Sequence, residues 1–175
     1  MYWAAISGSL RAASVNTALL RAAAQLALPD VEIEMLDIGA LPLFNPDVEA
    51  CGVPQPVARL RERLLLAQAV LIASPEYARG VSGVLKNALD WMVGNESFVD
   101  KPVAVINASA RSAHAYESLK EILATMSARL VPDACVTIPL PGNAWSPARL
   151  LADAQISTAL RSILARMVEA ARSDP

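Results

Sequence analysis

Short apolar runs alternate along this chain with segments whose apolar residues recur every three or four positions. Tyr2–Ile6 is the first run. After a polar gap, Val15, Ala18, Leu19, Ala22, Ala23 and Leu26 fall on one helical face, and Pro29-Asp30 ends the pattern. In Val31–Ile38, Val31, Ile33 and Met35 alternate with Glu32 and Glu34, as expected of a strand near a sheet edge. Residues 39–56 hold Gly39, Pro42, Pro46, Gly52, Pro54 and Pro56 and are expected to form a long irregular loop. Leu41, Leu43 and Phe44 within it need a packing partner: the core, a ligand or a second subunit. A second helix follows at Val57, Leu60, Leu64 and Ala67, then the continuous apolar run Ala69–Ala73 expected of a central strand. Leu85, Ala88, Leu89 and Met92 mark a third helix and Val103–Ile106 a fourth strand. Leu119, Ile122, Leu123 and Met126 mark a fourth helix and Ala134–Ile138 a weaker fifth strand. Pro139, Pro141, Gly142, Asn143 and Pro147 make a loop before a strongly amphipathic last helix at Ile156, Leu160, Ile163, Leu164, Met167, Val168 and Ala171.

Five strands and five helices in alternation predict an α/β fold of three layers: a flavodoxin-like, doubly wound, five-stranded parallel sheet of order 2-1-3-4-5. One such domain is expected to occupy residues 1–175. In this topology ligands sit at the carboxyl ends of the strands, where the strand order switches between strands one and three. The loops that meet there are Ser7–Asn16, Ser74–Gly83 and Asn107–Ala113.

The first of these loops carries the chemistry. Ser9, Ser14, Asn16 and Thr17 offer short hydrogen-bonding side chains, Arg11 offers a full charge with a fork of donors, and Gly8 is expected to let the chain turn tightly at the strand end. The loop leads into a helix whose first N–H groups have no partner inside it and carry partial positive charge. A strand, a polar turn and a helix start in that order suit a phosphate. Ser14 is equally well placed as an ordinary N-cap. The second loop adds a rigid turn at Pro75-Glu76-Tyr77, with Gly80 and Gly83 allowing close backbone approach to a planar group.

Composition narrows the ligand. Apolar residues make up 54% and charged residues 18% of the chain, so it is expected to be ordered, and a net charge of −2 without basic blocks argues against nucleic acid. Its apolar runs are too short to span a bilayer, and the N-terminus lacks the pattern of a signal peptide, which makes the cytoplasm the default expectation. Cys51, Cys135 and His114 are too few for a zinc site, and the two thiols are expected to be buried or half-buried. Neither G-x-G-x-x-G nor G-x-x-x-x-G-K-[ST] occurs, which removes the standard dinucleotide fingerprint and the P-loop. A phosphate monoester with a large planar body remains, and FMN suits this topology.

Gly8-Ser9-Leu10-Arg11-x-x-Ser14-x-Asn16 is similar to the phosphate loop of the NADPH-dependent FMN reductase family. Ser74-Pro75-Glu76-Tyr77 followed by Gly83-Val84-Leu85-Lys86-Asn87-Ala88-Leu89-Asp90-Trp91 resembles that family's second motif, and Leu41-Pro42-Leu43-Phe44-Asn45-Pro46-Asp47 its mid-chain loop. The resemblance implies an FMN-dependent NAD(P)H oxidoreductase that passes electrons from NADPH or NADH to a quinone, azo compound, metal oxyanion or flavin. It implies phosphate contacts from Ser9, Arg11, Ser14 and Asn16, with backbone help from Leu10 and Val15. It implies ring contacts from Pro75, Glu76, Tyr77 and Ala78, and further contacts from the loop holding Ser109 and Arg111. The chain departs from the family in carrying Ala78 where many members have Asn, and in a third loop without glycine. Arg111 offers an alternative role toward a nicotinamide phosphate. Lys86, Asn87, Asp90 and Trp91 are read as structural: Asn87 and Asp90 fix the loop before the helix, and Trp91 packs at a subunit contact of a homodimer or homotetramer. No catalytic side chain is expected, since the chemistry belongs to the cofactor. The competing readings are a flavodoxin-type electron carrier and a non-catalytic scaffold with a degraded flavin site.

Overall fold

The computed structural model describes residues 1–142 and 144–173; Asn143, assigned above to a loop, lies outside the described residues. The strands are β1 (Tyr2–Ser7), β2 (Glu32–Leu36), β3 (Ala69–Ala73), β4 (Glu76–Tyr77), β5 (Gly80–Val81), β6 (Pro102–Asn107), β7 (Arg129–Leu130) and β8 (Val136–Thr137). The helices are α1 (Val15–Leu26), α2 (Pro46–Cys51), α3 (Gln55–Leu66), α4 (Gly83–Met92), α5 (Ala113–Thr125), α6 (Pro147–Ala152) and α7 (Ala154–Arg172). The main sheet runs β2-β1-β3-β6, with β7 and β8 both parallel to β6 on its outer side. This is the predicted 2-1-3-4-5 order, its fifth strand split in two. Pro132 has no N–H to give to a ladder, and the chain makes a short 3-10 turn over Pro132–Ala134 before it returns to β6.

Strand alternation sets the layers. In β1, Trp3 and Ala5 face one core and Ala4 and Ile6 the other; in β3 the split is Ala69, Leu71 and Ala73 against Val70 and Ile72. The first core is closed by α1, α6 and α7 through Leu19, Leu150, Leu160 and Met167, the second by α3, α4 and α5 through Leu64, Leu89 and Leu119. Burial on both faces explains why β3 reads as an unbroken apolar run. β2 lies at the edge, where Glu34 takes hydrogen bonds from Tyr2 Oη at 2.7 Å and Arg63 Nε at 2.8 Å.

Three segments expected to be irregular are ordered. Within 39–56, Asn45 caps α2, its Oδ1 accepting Asp47 N at 2.9 Å, and Pro46 opens the helix. Before α6, Ser146 and Pro147 repeat that device. Within 74–83, β4 and β5 form a hairpin around Ala78 and Arg79, both in the left-handed region at φ 50 and 59. Two positive φ values at the centre of a two-residue hairpin loop define a type I′ turn, where Asn-Gly is preferred. Here neither residue is suited to it, and each costs about 1–2 kcal/mol. Ala78→Asn is therefore expected to raise unfolding stability by about 0.5–1 kcal/mol. Urea denaturation of the two proteins tests this; an unchanged or lower midpoint contradicts strain at this turn.

Candidate functional site

The loop from Gly8 to Ser14 leaves the carboxyl end of β1 and enters α1. Gly8 N donates to Ala73 O at 2.8 Å, which holds the loop against the end of β3. Gly8 does not have a positive φ, so the tight turn predicted for it is not the reason for glycine. The reason is contact: a Cβ there would stand 2.2 Å from Ser74 Oγ and 2.7 Å from Ser74 Cβ. The first two loops of the site abut through that missing side chain.

Ser14 Oγ accepts Thr17 N at 3.3 Å, so Ser14 is the N-cap of α1. Thr17 is not a donor toward the loop; its Oγ1 pairs with Ser7 Oγ at 2.7 Å. The N–H groups of Leu10, Ala12, Ala13, Ser14, Val15 and Asn16 have no hydrogen-bond partner among the described residues. Asn16, in the first turn of α1, is 4% exposed, and its Oδ1 is buried without a partner. A buried amide left unsatisfied costs about 1–3 kcal/mol. Such an orphan beside a row of free N–H groups fits a ligand rich in hydrogen-bonding oxygens, as a phosphate with its attached polyol is.

Two cavities flank this loop. One, of about 260 Å³, is lined by Val15 and Asn16, by Ser74, Pro75 and Glu76, and by the 107–112 loop including Ser109 and Arg111. The other, of about 340 Å³, lies on the β2 side and takes Ser9, Leu10 and Arg11. The predicted residues are thus divided by the loop rather than gathered on one side. Tyr77, 55% exposed, and Ala78 sit on the hairpin outside both linings.

The hairpin is tied to α5. Glu76 Oε2 accepts Ala115 N at 2.9 Å, placing its carboxylate at the helix N-terminus, and Arg79 Nη1 lies 3.3 Å from His114 Nε2. Glu76 therefore lines the cavity with its side chain already engaged. Neither Gly80 nor Gly83 is crowded by protein atoms: a Cβ at 80 would meet only Tyr77 O at 3.6 Å, and one at 83 nothing within 4 Å.

The glycine-free third loop is wound by side chains instead. Asn107 Oδ1 accepts Ser109 N at 3.1 Å and Ser109 Oγ accepts Arg111 N at 3.2 Å. Asn107 Nδ2 donates to Thr137 Oγ1 at 3.2 Å, which anchors the loop to β8. Ser109, Arg111 and Ser112 consequently reach the cavity wall. Sequence reading missed Asn107, Leu140 and Gly142 as lining residues. The signal available for the last two was topological, because the loop after the fifth strand emerges at the same sheet end. Behind the cavity floor, burial first, then the Cys135 and Glu117 charges, push the Tyr116 phenol up to about 12, so it stays protonated.

Asn87 and Trp91 hold a different loop from the one predicted. Asn87 Oδ1 accepts Phe44 N at 2.7 Å, and Asn87 Nδ2 and Trp91 Nε1 donate to Pro42 O at 3.0 and 2.8 Å. Trp91 is 0% exposed and meets Phe44 edge-on at 5.0 Å, so this chain itself covers it and nothing is left for a subunit contact. Asp90 pairs with Lys86 at 2.5 Å one turn back along α4, not with the preceding loop. Leu41 packs on the second core, Phe44 on Trp91, and Leu43 is exposed. Of the two thiols Cys135 is half-buried as expected, but Cys51, on the unburied α2, is exposed.

The model of the NADPH-dependent FMN reductase family matches residues 1–141. An NAD(P)H-dependent FMN reductase of Pseudomonas aeruginosa is 41% identical over 154 residues, 85% of this chain and 83% of that protein. An NADPH:quinone oxidoreductase of Arabidopsis thaliana is 48% identical over 109 residues, 59% of this chain and 56% of that one. Among solved structures, the flavoenzyme NAD(P)H:(acceptor) oxidoreductase FerB from Paracoccus denitrificans superposes with a TM-score of 0.76 at 30% identity, covering 97% of this chain and 96% of that one.

Proposed function

From the premise that the chain belongs to the NADPH-dependent FMN reductase family, we propose that it is an FMN-dependent NAD(P)H oxidoreductase that reduces quinones and kindred small acceptors. The observation that carries this is the set of free N–H groups at Leu10 and Ala12–Asn16 beside the unpartnered Asn16 amide, with Val15 and Asn16 on the wall of the cavity that the second and third loops share. FMN, when bound, supplies the two-electron chemistry. The chain's part is to hold it. The loop N–H groups, the α1 N-terminus and Arg11 take the phosphate; Ser9, Ser14 and Asn16 stand around it. Pro75, Glu76, Ser109 and Arg111 bound the space for the ring, with Tyr77 and Ala78 at its mouth on the hairpin. The Glu76 carboxylate is held on the α5 N-terminus, and the Tyr116 phenol behind the cavity is kept protonated by burial. The exposed Arg111 guanidinium is available to a nicotinamide phosphate.

Mixing the FMN-loaded protein anaerobically with NADPH or NADH, without acceptor, tests the reading. The expected result is loss of the yellow flavin band, restored by a quinone. Colour unaffected by either nicotinamide supports an electron carrier instead, and failure to take up FMN supports a scaffold.

The reading extends to a homodimer or homotetramer acting in the cytoplasm, with α4 at the contact. Val93, at the α4 C-cap and 65% exposed, and the groove between α4 and α5 that includes Ile122 and Met126 support that face. Among the described residues no helix is long and apolar enough to cross a membrane. Sedimentation of wild type and Val93→Glu tests the assembly; unchanged mass removes α4 from the contact.

A further inference from the structure

The phosphate loop has space on both sides, and the flavin mononucleotide accounts for one. Its ring belongs with the cavity between the second and third loops, and its phosphate with the loop itself. The cavity on the β2 side, about 340 Å³, is the larger of the two and remains without an assigned occupant. We propose that it is an adenylate subsite, so that the chain binds a flavin dinucleotide as well as the mononucleotide. The proposal rests on the flavin reading of the loop.

Continuity is the first argument. Ser9, Leu10, Arg11 and Ala12 belong both to the loop and to the lining of this cavity. A group that fills it meets whatever the loop holds. A mononucleotide ends at its phosphate and leaves the cavity empty; a dinucleotide continues from that phosphate through a second one into an adenosine.

The lining matches each part of that extension. Arg11 and Arg21 are both exposed and both free of ion pairs among the described residues. With Arg11 on the flavin phosphate, Arg21 supplies a guanidinium fork for a second phosphate next to it. Asp37 follows directly on β2, the place from which a carboxylate reads ribose hydroxyls in doubly wound sheets. Its Oδ1 is fixed by accepting Gly39 N at 2.8 Å, which leaves Oδ2 for a sugar hydroxyl. Its negative charge also disfavours a phosphate on that sugar. Leu10, 62% exposed, with Met35 and Ile38 on the same lining, gives an apolar surface for a base. Gly39 makes room for Leu10 there, since a Cβ would lie 3.0 Å from Leu10 Cδ2.

Titration of the flavin-free protein with FMN and with FAD, followed by quenching of flavin fluorescence, tests the subsite without any turnover. Wild type is expected to bind FAD within about tenfold of FMN. Arg21→Glu, on the exposed face of α1, is expected to weaken FAD by roughly tenfold or more while changing FMN by less than about twofold. Asp37→Asn, which keeps the acceptor for Gly39 N, is expected to weaken FAD several-fold and spare FMN. FAD bound roughly a hundredfold more weakly than FMN overturns the subsite and leaves the FMN reading standing. So does an Arg21→Glu protein in which both ligands weaken alike. A protein that binds neither overturns both readings.

Discussion

Replacing Arg11 with Ala is expected to weaken FMN binding by about 1.5–3 kcal/mol, roughly 10- to 150-fold in Kd. The guanidinium is exposed and pairs with no carboxylate among the described residues, so its removal disturbs no contact of the fold. The variant should unfold at the wild-type urea midpoint. Binding should weaken rather than vanish, because the free N–H groups of Leu10 and Ala12–Asn16 and the α1 N-terminus remain. A charged partner in contact with water is also screened by salt, so wild-type affinity should fall with ionic strength more steeply than that of the variant. FMN titration at two salt concentrations reads both effects. Unchanged affinity and an unchanged salt slope take Arg11 out of the site and leave the phosphate to backbone donors alone.

Trp91→Ala is expected to cost about 3–5 kcal/mol of unfolding stability, the range for emptying a fully buried aromatic site. Three contacts go at once: the core face of α4, the edge-on ring of Phe44 at 5.0 Å, and the bond from Trp91 Nε1 to Pro42 O at 2.8 Å. The Pro42 carbonyl keeps Asn87 Nδ2, so it is not left bare. Trp91→Phe, which keeps most of the ring volume, should cost about 1 kcal/mol for the lost hydrogen bond. Limited proteolysis should find the 41–46 segment cut faster in Trp91→Ala than in wild type, since Phe44 then loses its platform. FMN affinity should hold to within about threefold, because neither cavity beside the phosphate loop is lined by Trp91. A stability loss below about 1 kcal/mol contradicts the packing account; a large loss of FMN affinity with intact stability would make Trp91 a ligand-binding residue.

The second motif shows where sequence reading succeeds and where it stops. Ser74 to Tyr77 was recognisable as a loop that meets the first one, because the apolar run before it could only be a central strand. That the loop doubles back as a hairpin was hidden, since Ala78-Arg79 lacks the Asn-Gly pair that marks a type I′ turn. The engagement of Glu76 by α5 was hidden too, because its partner Ala115 N lies 39 residues away. α2 and α6 carry readable start signals, Asn45-Pro46 and Ser146-Pro147, but bury almost nothing: no residue of α2 and only Leu150 of α6. A search for apolar periodicity passes over helices held mainly by their caps.

What the chain's residues determined unaided was the order of strands and helices, the two-faced core and the meeting of three loops at one end of the sheet. Those follow from local periodicity and from the few ways a parallel sheet can be wound, neither of which needs a distance. The tertiary structure alone decided why residue 8 must be glycine, which loop Trp91 fastens, and that the phosphate loop stands between two cavities rather than beside one. Each of these depends on atoms far apart in the chain coming within a few ångströms, and packing, not composition, sets that spacing.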